Sequence, residues 1–153
     1  MCLTPARCTR EPLSVPVWLK DQICYLGILL HWREEQVALV GVILKMCISV
    51  YLKPLEQHCH RFLWRYLKTD HAPDVYVMTR VNMGDILAPA ISTDAIYKTA
   101  YMFESDSPKV ANLLKTSSYV DDLIDSLPSK SEAIEGSRGT QNMLAKGGFT
   151  VKC

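Results

Sequence analysis

The sequence lacks the spacings and runs that mark several common protein classes. Its 153 residues include six cysteines, and no two of them are spaced Cys-x-x-Cys, so neither a zinc ribbon nor a thioredoxin-like redox motif is indicated. The apolar stretch over residues 37–52 is interrupted by Lys45 and is shorter than the roughly 18–20 residues that a membrane helix needs. The first twenty residues contain three prolines and several charges but no continuous apolar segment, which argues against a signal peptide. Because scattered thiols also fit a reducing compartment, we expect a protein of the cytoplasm or nucleus with no membrane partner.

The chain also has little net charge. Its formal charge of +1 neither supports nor excludes a nucleic-acid partner. Hydrophobic residues make up 48% of the sequence and charged residues 22%, which is the composition of an ordinary folded domain. A chain of 153 residues is long enough to enclose a core, so we expect one globular domain.

Helix and strand signals follow each other in a mixed order that predicts an α+β domain. The continuous β-branched run over 37–43 predicts a buried central strand. Ser129 and Glu132 form a Ser-x-x-Glu cap for a helix that ends at Lys146, before two glycines. The other predicted elements are a short buried helix over 23–32, a helix over 54–68, a strand over 74–81, a helix over 91–103, a helix opening at 108, a hairpin over 117–127 and a final strand over 149–152.

One face of the predicted helix over 54–68 is basic. Arg61, Arg65 and Lys68 are spaced at i, i+4 and i+7, and Trp64 lies nearby in sequence. Such a stripe can contact a nucleic-acid backbone, and it can equally be a solvated helix face. The sequence leaves both interpretations open.

The motif with the most definite chemistry is Tyr-Val-Asp-Asp at 119–122, inside the predicted hairpin. Adjacent carboxylates repel, and an ordinary turn is more easily built with Asn-Gly or Asp-Gly, so Asp121 and Asp122 indicate a cation site, with a plain turn as the alternative. Phosphoryl transfer by two Mg²⁺ ions needs carboxylates that hold the metals about 3.5–4 Å apart. Side chains alternate along a strand, so two neighbouring aspartates cannot both face one metal. A third carboxylate on an adjacent strand is therefore required.

Longer segments around this motif resemble one family. They are HRFLWR, PDVYVMTRVNMGD, APAIST, AIYKTA, DSPK, SSYVDDLIDS and MLAKGGFTVKC. In this order they resemble the reverse transcriptase of Pao/BEL-class LTR retrotransposons over residues 24–153, whereas residues 1–23 match poorly and are expected to be a divergent extension. The resemblance implies a right-hand polymerase palm, an antiparallel sheet backed by helices, with RNA-directed DNA polymerase activity.

The resemblance also implies roles for the hairpin residues. Asp121 would bind the catalytic Mg²⁺ or Mn²⁺, and Asp122 would support it. Tyr119 would lie near the end of the primer.

Three further positions are implied to face nucleotide or template. Gly84 and Asp85 fall in a segment similar to the one that lies against the template and the incoming nucleotide. Lys152, in the closing motif, would approach the triphosphate. The implied partners are an RNA or DNA template–primer and dNTPs.

The chain departs from the family in its first palm strand. Where the family has Gly-Asp-Ile-Arg-Lys-Met-Tyr-Asn, residues 41–48 read GVILKMCI, so Val42 replaces the metal-bridging aspartate and Cys47 replaces the aromatic residue that excludes a ribose 2′-hydroxyl. Losing an outer-shell group costs metal sites about 10–100-fold in affinity or activity, and losing a bridging carboxylate should cost more. Neither Asp85, in the nucleotide-facing loop, nor Asp125, beyond the turn, is expected to substitute.

On this resemblance the chain is a palm fragment. The resemblance implies that most of a fingers region before residue 24 and any thumb region after Cys153 are missing. We therefore expect a retrotransposon-derived reverse transcriptase domain that is inactive as it stands, with metal binding weakened by Val42. The alternatives are a catalytically dead module that still binds nucleic acid, and a relic of a transposable element without function.

Overall fold

The computed structural model describes residues 25–153, so the predicted extension over 1–23 lies outside the described residues. The helices are α1 (residues 25–31), α2 (Met46–Ser49), α3 (Pro54–Gln57), α4 (Ala88–Met102), α5 (Pro108–Thr116) and α6 (Lys130–Lys146). The strands are β1 (Val37–Leu44), β2 (Arg61–Trp64), β3 (Asp74–Val77), β4 (Ser118–Tyr119), β5 (Asp122–Leu127) and β6 (Thr150–Lys152). Within these residues, no helix is long and apolar enough to cross a membrane.

A four-stranded antiparallel sheet organises the fold, with strand order β4-β5-β1-β6. A separate two-stranded sheet pairs β2 with β3. Mixed helices and an antiparallel sheet confirm the predicted α+β class. The central position predicted for β1 is also confirmed, because β5 pairs along one of its edges and β6 along the other.

The two faces of the main sheet differ. Ile43 of β1 and Leu123 of β5 lie in a buried core with Ile96 of α4, Leu114 of α5 and Leu144 of α6. The opposite face exposes an apolar row on β1, formed by Val40, Val42 and Leu44. The prediction of a strand buried as a whole was therefore wrong, because the helices α4, α5 and α6 contribute their core residues to only one face of the sheet.

The helix α6 begins as its cap predicts. The Ser129 hydroxyl accepts a hydrogen bond from the Glu132 backbone N–H at 3.3 Å and lies 2.8 Å from the Glu132 carboxylate. Inside the helix, a Cβ built on Gly139 would lie 2.5 Å from Cγ2 of Val110 in α5. Glycine at 139, which costs intrinsic helix stability, thus allows the two helices to approach.

The predicted helix over 54–68 was wrong beyond its first turn. The helix α3 ends at Gln57, and Arg61–Trp64 forms β2, whose Phe62 lies opposite Tyr76 of β3 with ring centroids 5.7 Å apart. Pairing with β3 and the strand preference of aromatic residues override the helical spacing. The three basic residues Arg61, Arg65 and Lys68 therefore do not share a helix face.

The N-terminal helix is confirmed in its described part, residues 25–31, but not as a buried helix. Ile28 is buried, whereas Leu26 and Leu30 are exposed. Tyr25 packs on Tyr119 of β4 with ring centroids 4.6 Å apart. The contact brings α1 to the hairpin that holds the two aspartates.

Candidate functional site

The two aspartates lie where the sequence predicts, at a hairpin. Strand β4 ends at Tyr119, and β5 begins at Asp122, so Val120 and Asp121 form the turn. Val120 has a φ of 53°, which is uncommon for a β-branched residue. The backbone N–H of Ile43 donates to the Asp121 carbonyl at 2.7 Å, and this bond attaches the turn to β1.

The strand register brings four residues of the predicted site into one line across the sheet. Tyr119 pairs with Asp122, Asp122 pairs with Val42, and Val42 pairs with Lys152. Directly opposed residues project from the same face with Cβ atoms roughly 4.5–5.5 Å apart. We call Tyr119, Asp122, Val42 and Lys152 the paired row. It lies on the sheet face opposite the core residues of α4, α5 and α6.

The carboxyl groups of Asp121 and Asp122, at one end of the main sheet, lie in an unfavourable setting for two negative charges. Burial raises the pKa of the Asp122 carboxyl above its ordinary value, and the neighbouring Asp121 carboxylate raises it further. The ion pairs found among residues 25–153 do not involve either aspartate. Two adjacent carboxylates therefore lie at this sheet end without an ion-pair partner among the described residues, and such a setting favours a bound cation or a proton.

The residues present do not fit a two-metal centre. A bridging site needs a third carboxylate on the adjacent strand, and the residue paired with Asp122 there is Val42, which has no oxygen to donate. Over the described part of the chain, no group of three or more His, Cys, Asp or Glu side chains could hold a metal ion together. Asp121 and Asp122 could contact a cation, but they do not form a complete catalytic set.

Asp85 and Asp125 lie elsewhere. Asp85 lies in the loop after β3, beside Gly84 with its φ of 102°, and its carboxylate is 3.5 Å from His60. Asp125 pairs with Leu39 on the helix-covered face of the sheet, so it does not share a face with Asp122. The structure thus brings Asp121, Asp122, Tyr119 and Lys152 together, and puts Gly84 and Asp85 in a separate loop.

Cys47 is a structural contact in this fold. It lies in α2 with a free, half-buried thiol. The side chain packs against two clusters of buried residues, one around Ile43 and one formed by Leu52, Val81 and Ala88. The Cys47 side chain therefore joins the main core to the smaller one.

Two features of this region escaped sequence reasoning. Tyr25 contacts Tyr119, and the apolar row of β1 is open to solvent. No local sequence pattern predicts the contact between the two tyrosines, because they are far apart in sequence. The sequence also did not predict the open face, because a continuous apolar run does not show which of its two faces the helices cover.

No model of a known protein family matches the chain, and no curated protein matches it.

Proposed function

We propose that residues 24–153 derive from a Pao/BEL-class reverse transcriptase palm in which Val42 has removed the metal-bridging carboxylate. The observation that supports this proposal is the paired row. The three segments that resemble separate palm motifs, around residues 42, 121 and 152, lie far apart in sequence and meet as neighbouring strands. Palm ancestry predicts this alignment, because the segments that carry the motifs are then neighbouring strands.

The chemistry expected of the ancestor is template-directed nucleotidyl transfer. In the ancestor, three carboxylates would hold Mg²⁺ or Mn²⁺, which would supply Lewis-acid stabilisation of the charge that develops in this reaction. In this chain Asp121 and Asp122 remain, and Lys152 keeps a positive charge one strand from Val42. Because the third carboxylate is absent, we expect the natural chain not to extend a primer.

Primer extension on an RNA template tests the proposal. The natural chain is compared with its Val42→Asp, Cys47→Tyr version in Mg²⁺ and in Mn²⁺. We expect no primer extension by the natural chain and measurable extension by the double variant. Adding Asp121→Asn and Asp122→Asn to the double variant is the matched control, and it should abolish any extension.

A second readout covers the case in which neither chain extends a primer. Mn²⁺ binding, followed by electron paramagnetic resonance, should tighten at least about tenfold in the Val42→Asp variant, because a third carboxylate joins two others. Unchanged Mn²⁺ affinity in a folded Val42→Asp variant would overturn the proposed site. Extension by the natural chain would overturn the role given to Val42.

A second candidate function is nucleic-acid binding without catalysis, and the β2–β3 hairpin favours it. Phe62, Trp64, Tyr66 and Tyr76 form a run of neighbouring rings with centroids 5.7–6.5 Å apart, and β2 is exposed along its whole length. Exposed aromatic rings near arginine and lysine are a common platform for single-stranded bases. Arg65 and Lys68 lie in the connecting segment, although Asp74 lies opposite Trp64.

Fluorescence anisotropy with a labelled single-stranded RNA tests this second function. Binding should weaken as salt rises and should fall at least about fivefold in Trp64→Ala, because stacking contributes about 1–3 kcal/mol per base. Tyr101→Ala is the matched control, since Tyr101 is an exposed aromatic residue on α4 with Lys115 over its ring. Equal losses in both variants would remove the hairpin from this role.

A further inference from the structure

A cavity lies on the other side of the main sheet from the paired row. It has a volume of about 580 Å³, lies between α5, α6 and β5, and is open to solvent on one side. Its apolar lining includes Val110, Leu113 and Leu127, and polar side chains surround these residues. Small-molecule sites in proteins typically measure about 300–1,000 Å³, so the volume suits a small ligand.

Asp125 is the buried charged group of this cavity. The residue is only 6% exposed, yet it is one of the residues that line the cavity. One oxygen accepts a hydrogen bond from the Ser126 backbone N–H at 2.8 Å. A carboxylate can accept about four hydrogen bonds, and burying one without compensation is costly. Within residues 25–153, the Asp125 carboxylate therefore has hydrogen-bond accepting capacity left.

The basic side chain that lies against Asp125, His31, does not use that capacity. His31 lies with Nε2 at 3.6 Å from the Asp125 carboxylate, which is longer than a hydrogen bond. The other ring nitrogen, Nδ1, is already 2.7 Å from Glu34. His31 is also half-exposed, so it does not shield Asp125 as a buried partner would.

The rim of the cavity carries charges of both signs. Glu132 and Glu135 face it from α6, together with Arg138, and Lys109 faces it from α5. Among residues 25–153, none of these four side chains takes part in an ion pair. With Asp125 included, the cavity has three carboxylates against Lys109 and Arg138. This excess of one negative charge favours a ligand with a single positive charge.

We propose that this cavity binds a small primary amine, with the ammonium group held by Asp125 and the alkyl part packed on Leu113 and Leu127. An ammonium group supplies the donors that the buried carboxylate lacks, and a charge-assisted hydrogen bond is about twice as strong as a neutral one. The inference does not depend on polymerase ancestry, because the cavity and the paired row lie on opposite faces of the sheet.

Three probes with the same carbon chain test the charge requirement. Butylamine has one ammonium, butane-1,4-diol has none, and putrescine has two. Saturation-transfer NMR with the full chain at pH 8 should detect butylamine and should not detect the diol. Because the proposal places one ammonium on Asp125, the affinity for putrescine should lie within about threefold of that for butylamine. Binding of the diol as strong as that of butylamine would overturn the proposal.

A substitution tests the role of Asp125. Asp125→Asn should lower butylamine affinity at least about tenfold, since it removes the charge and keeps the shape. Asp70→Asn, which removes an exposed acid outside the cavity, should leave that affinity unchanged. Unchanged affinity in a folded Asp125→Asn chain would overturn the assignment.

A second measurement locates the ligand in the natural chain, in case Asp125→Asn does not fold. Nuclear Overhauser effects should connect the butylamine methylenes with the methyl groups of Leu113 and Leu127. Their absence at saturating butylamine would overturn the proposal independently of any variant.

Discussion

The helix-backed sheet and the β2–β3 hairpin are held together in different ways. In the first, eleven buried residues form one cluster. In the second, no residue of β2 or β3 is buried, and ring contacts such as Phe62 with Tyr76 join the strands. Burial therefore stabilises the sheet, while the hairpin depends on local cross-strand pairs. Substitutions in the two regions should therefore differ clearly in their effects on stability.

The largest difference is expected between a buried and an exposed leucine. Leu144 is fully buried in the main cluster, so Leu144→Ala should lower the free energy of unfolding by about 2–5 kcal/mol. Leu67, in the segment that connects β2 and β3, is 92% exposed. Leu67→Ala should therefore change the free energy of unfolding by less than about 0.5 kcal/mol. Urea unfolding measures both. Similar losses would mean that the regions do not differ as described.

Two glycines of α6 sharpen the description of the helix-backed side. A Cβ at Gly139 would lie 2.5 Å from Val110, so Gly139→Ala should destabilise the protein by about 1–2 kcal/mol despite its better helix propensity. A Cβ at Gly136 would meet side chains at 3.5 Å or more, an ordinary contact distance. Gly136→Ala should therefore stabilise the fold by up to about 1 kcal/mol. Thermal unfolding should show a lower Tm for Gly139→Ala and a higher Tm for Gly136→Ala. Changes of the same sign in both variants would contradict the described packing of α6.

The hairpin should respond locally to loss of its ring pair. Phe62→Ala removes the cross-strand partner of Tyr76 and should cost about 0.5–1.5 kcal/mol in hairpin opening. Amide hydrogen exchange should quicken in β2 and β3 and stay unchanged in β1 and β5. A double-mutant cycle with Tyr76→Ala isolates the pair. Equal acceleration in β1 would show that the hairpin and the sheet open together.

The smallest expected effect concerns Asp122. Because the pKa of Asp122 is raised in the folded protein, the folded state binds its proton more readily than the unfolded state. This group therefore lowers stability as pH rises from about 4, the unfolded value, through the higher folded value. Asp122→Asn should raise the free energy of unfolding at pH 7 by under about 1 kcal/mol.

The pH dependence of that gain is the test. Urea unfolding of the natural chain and of Asp122→Asn should show the difference at pH 7 and little difference at pH 3, where the carboxyl is protonated in both states. Asp70→Asn, an exposed acid, controls for the loss of a charge as such. A gain of equal size at both pH values would contradict a raised pKa at Asp122.

Sequence reasoning succeeded where a local interaction decides the structure. The cap at Ser129, the helix over most of 91–103 and the hairpin around Asp121 and Asp122 all depend on residues close in the chain. It failed at Arg61–Trp64, where helical spacing and strand propensity compete. Pairing with β3 decides that competition, and a helical period within β2 contains no information about β3.

The sequence by itself determined that helices and strands follow each other in a mixed order, where α6 begins, and that two carboxylates share one hairpin. It also determined that position 42 is not an aspartate. Only the tertiary structure decided that Val42 lies between Asp122 and Lys152, that Asp125 faces a cavity on the opposite side, and that β1 is half exposed. The physical reason is that strand register and helix cover are set by contacts between distant segments, and shifting a register by one residue would turn every side chain to the other face.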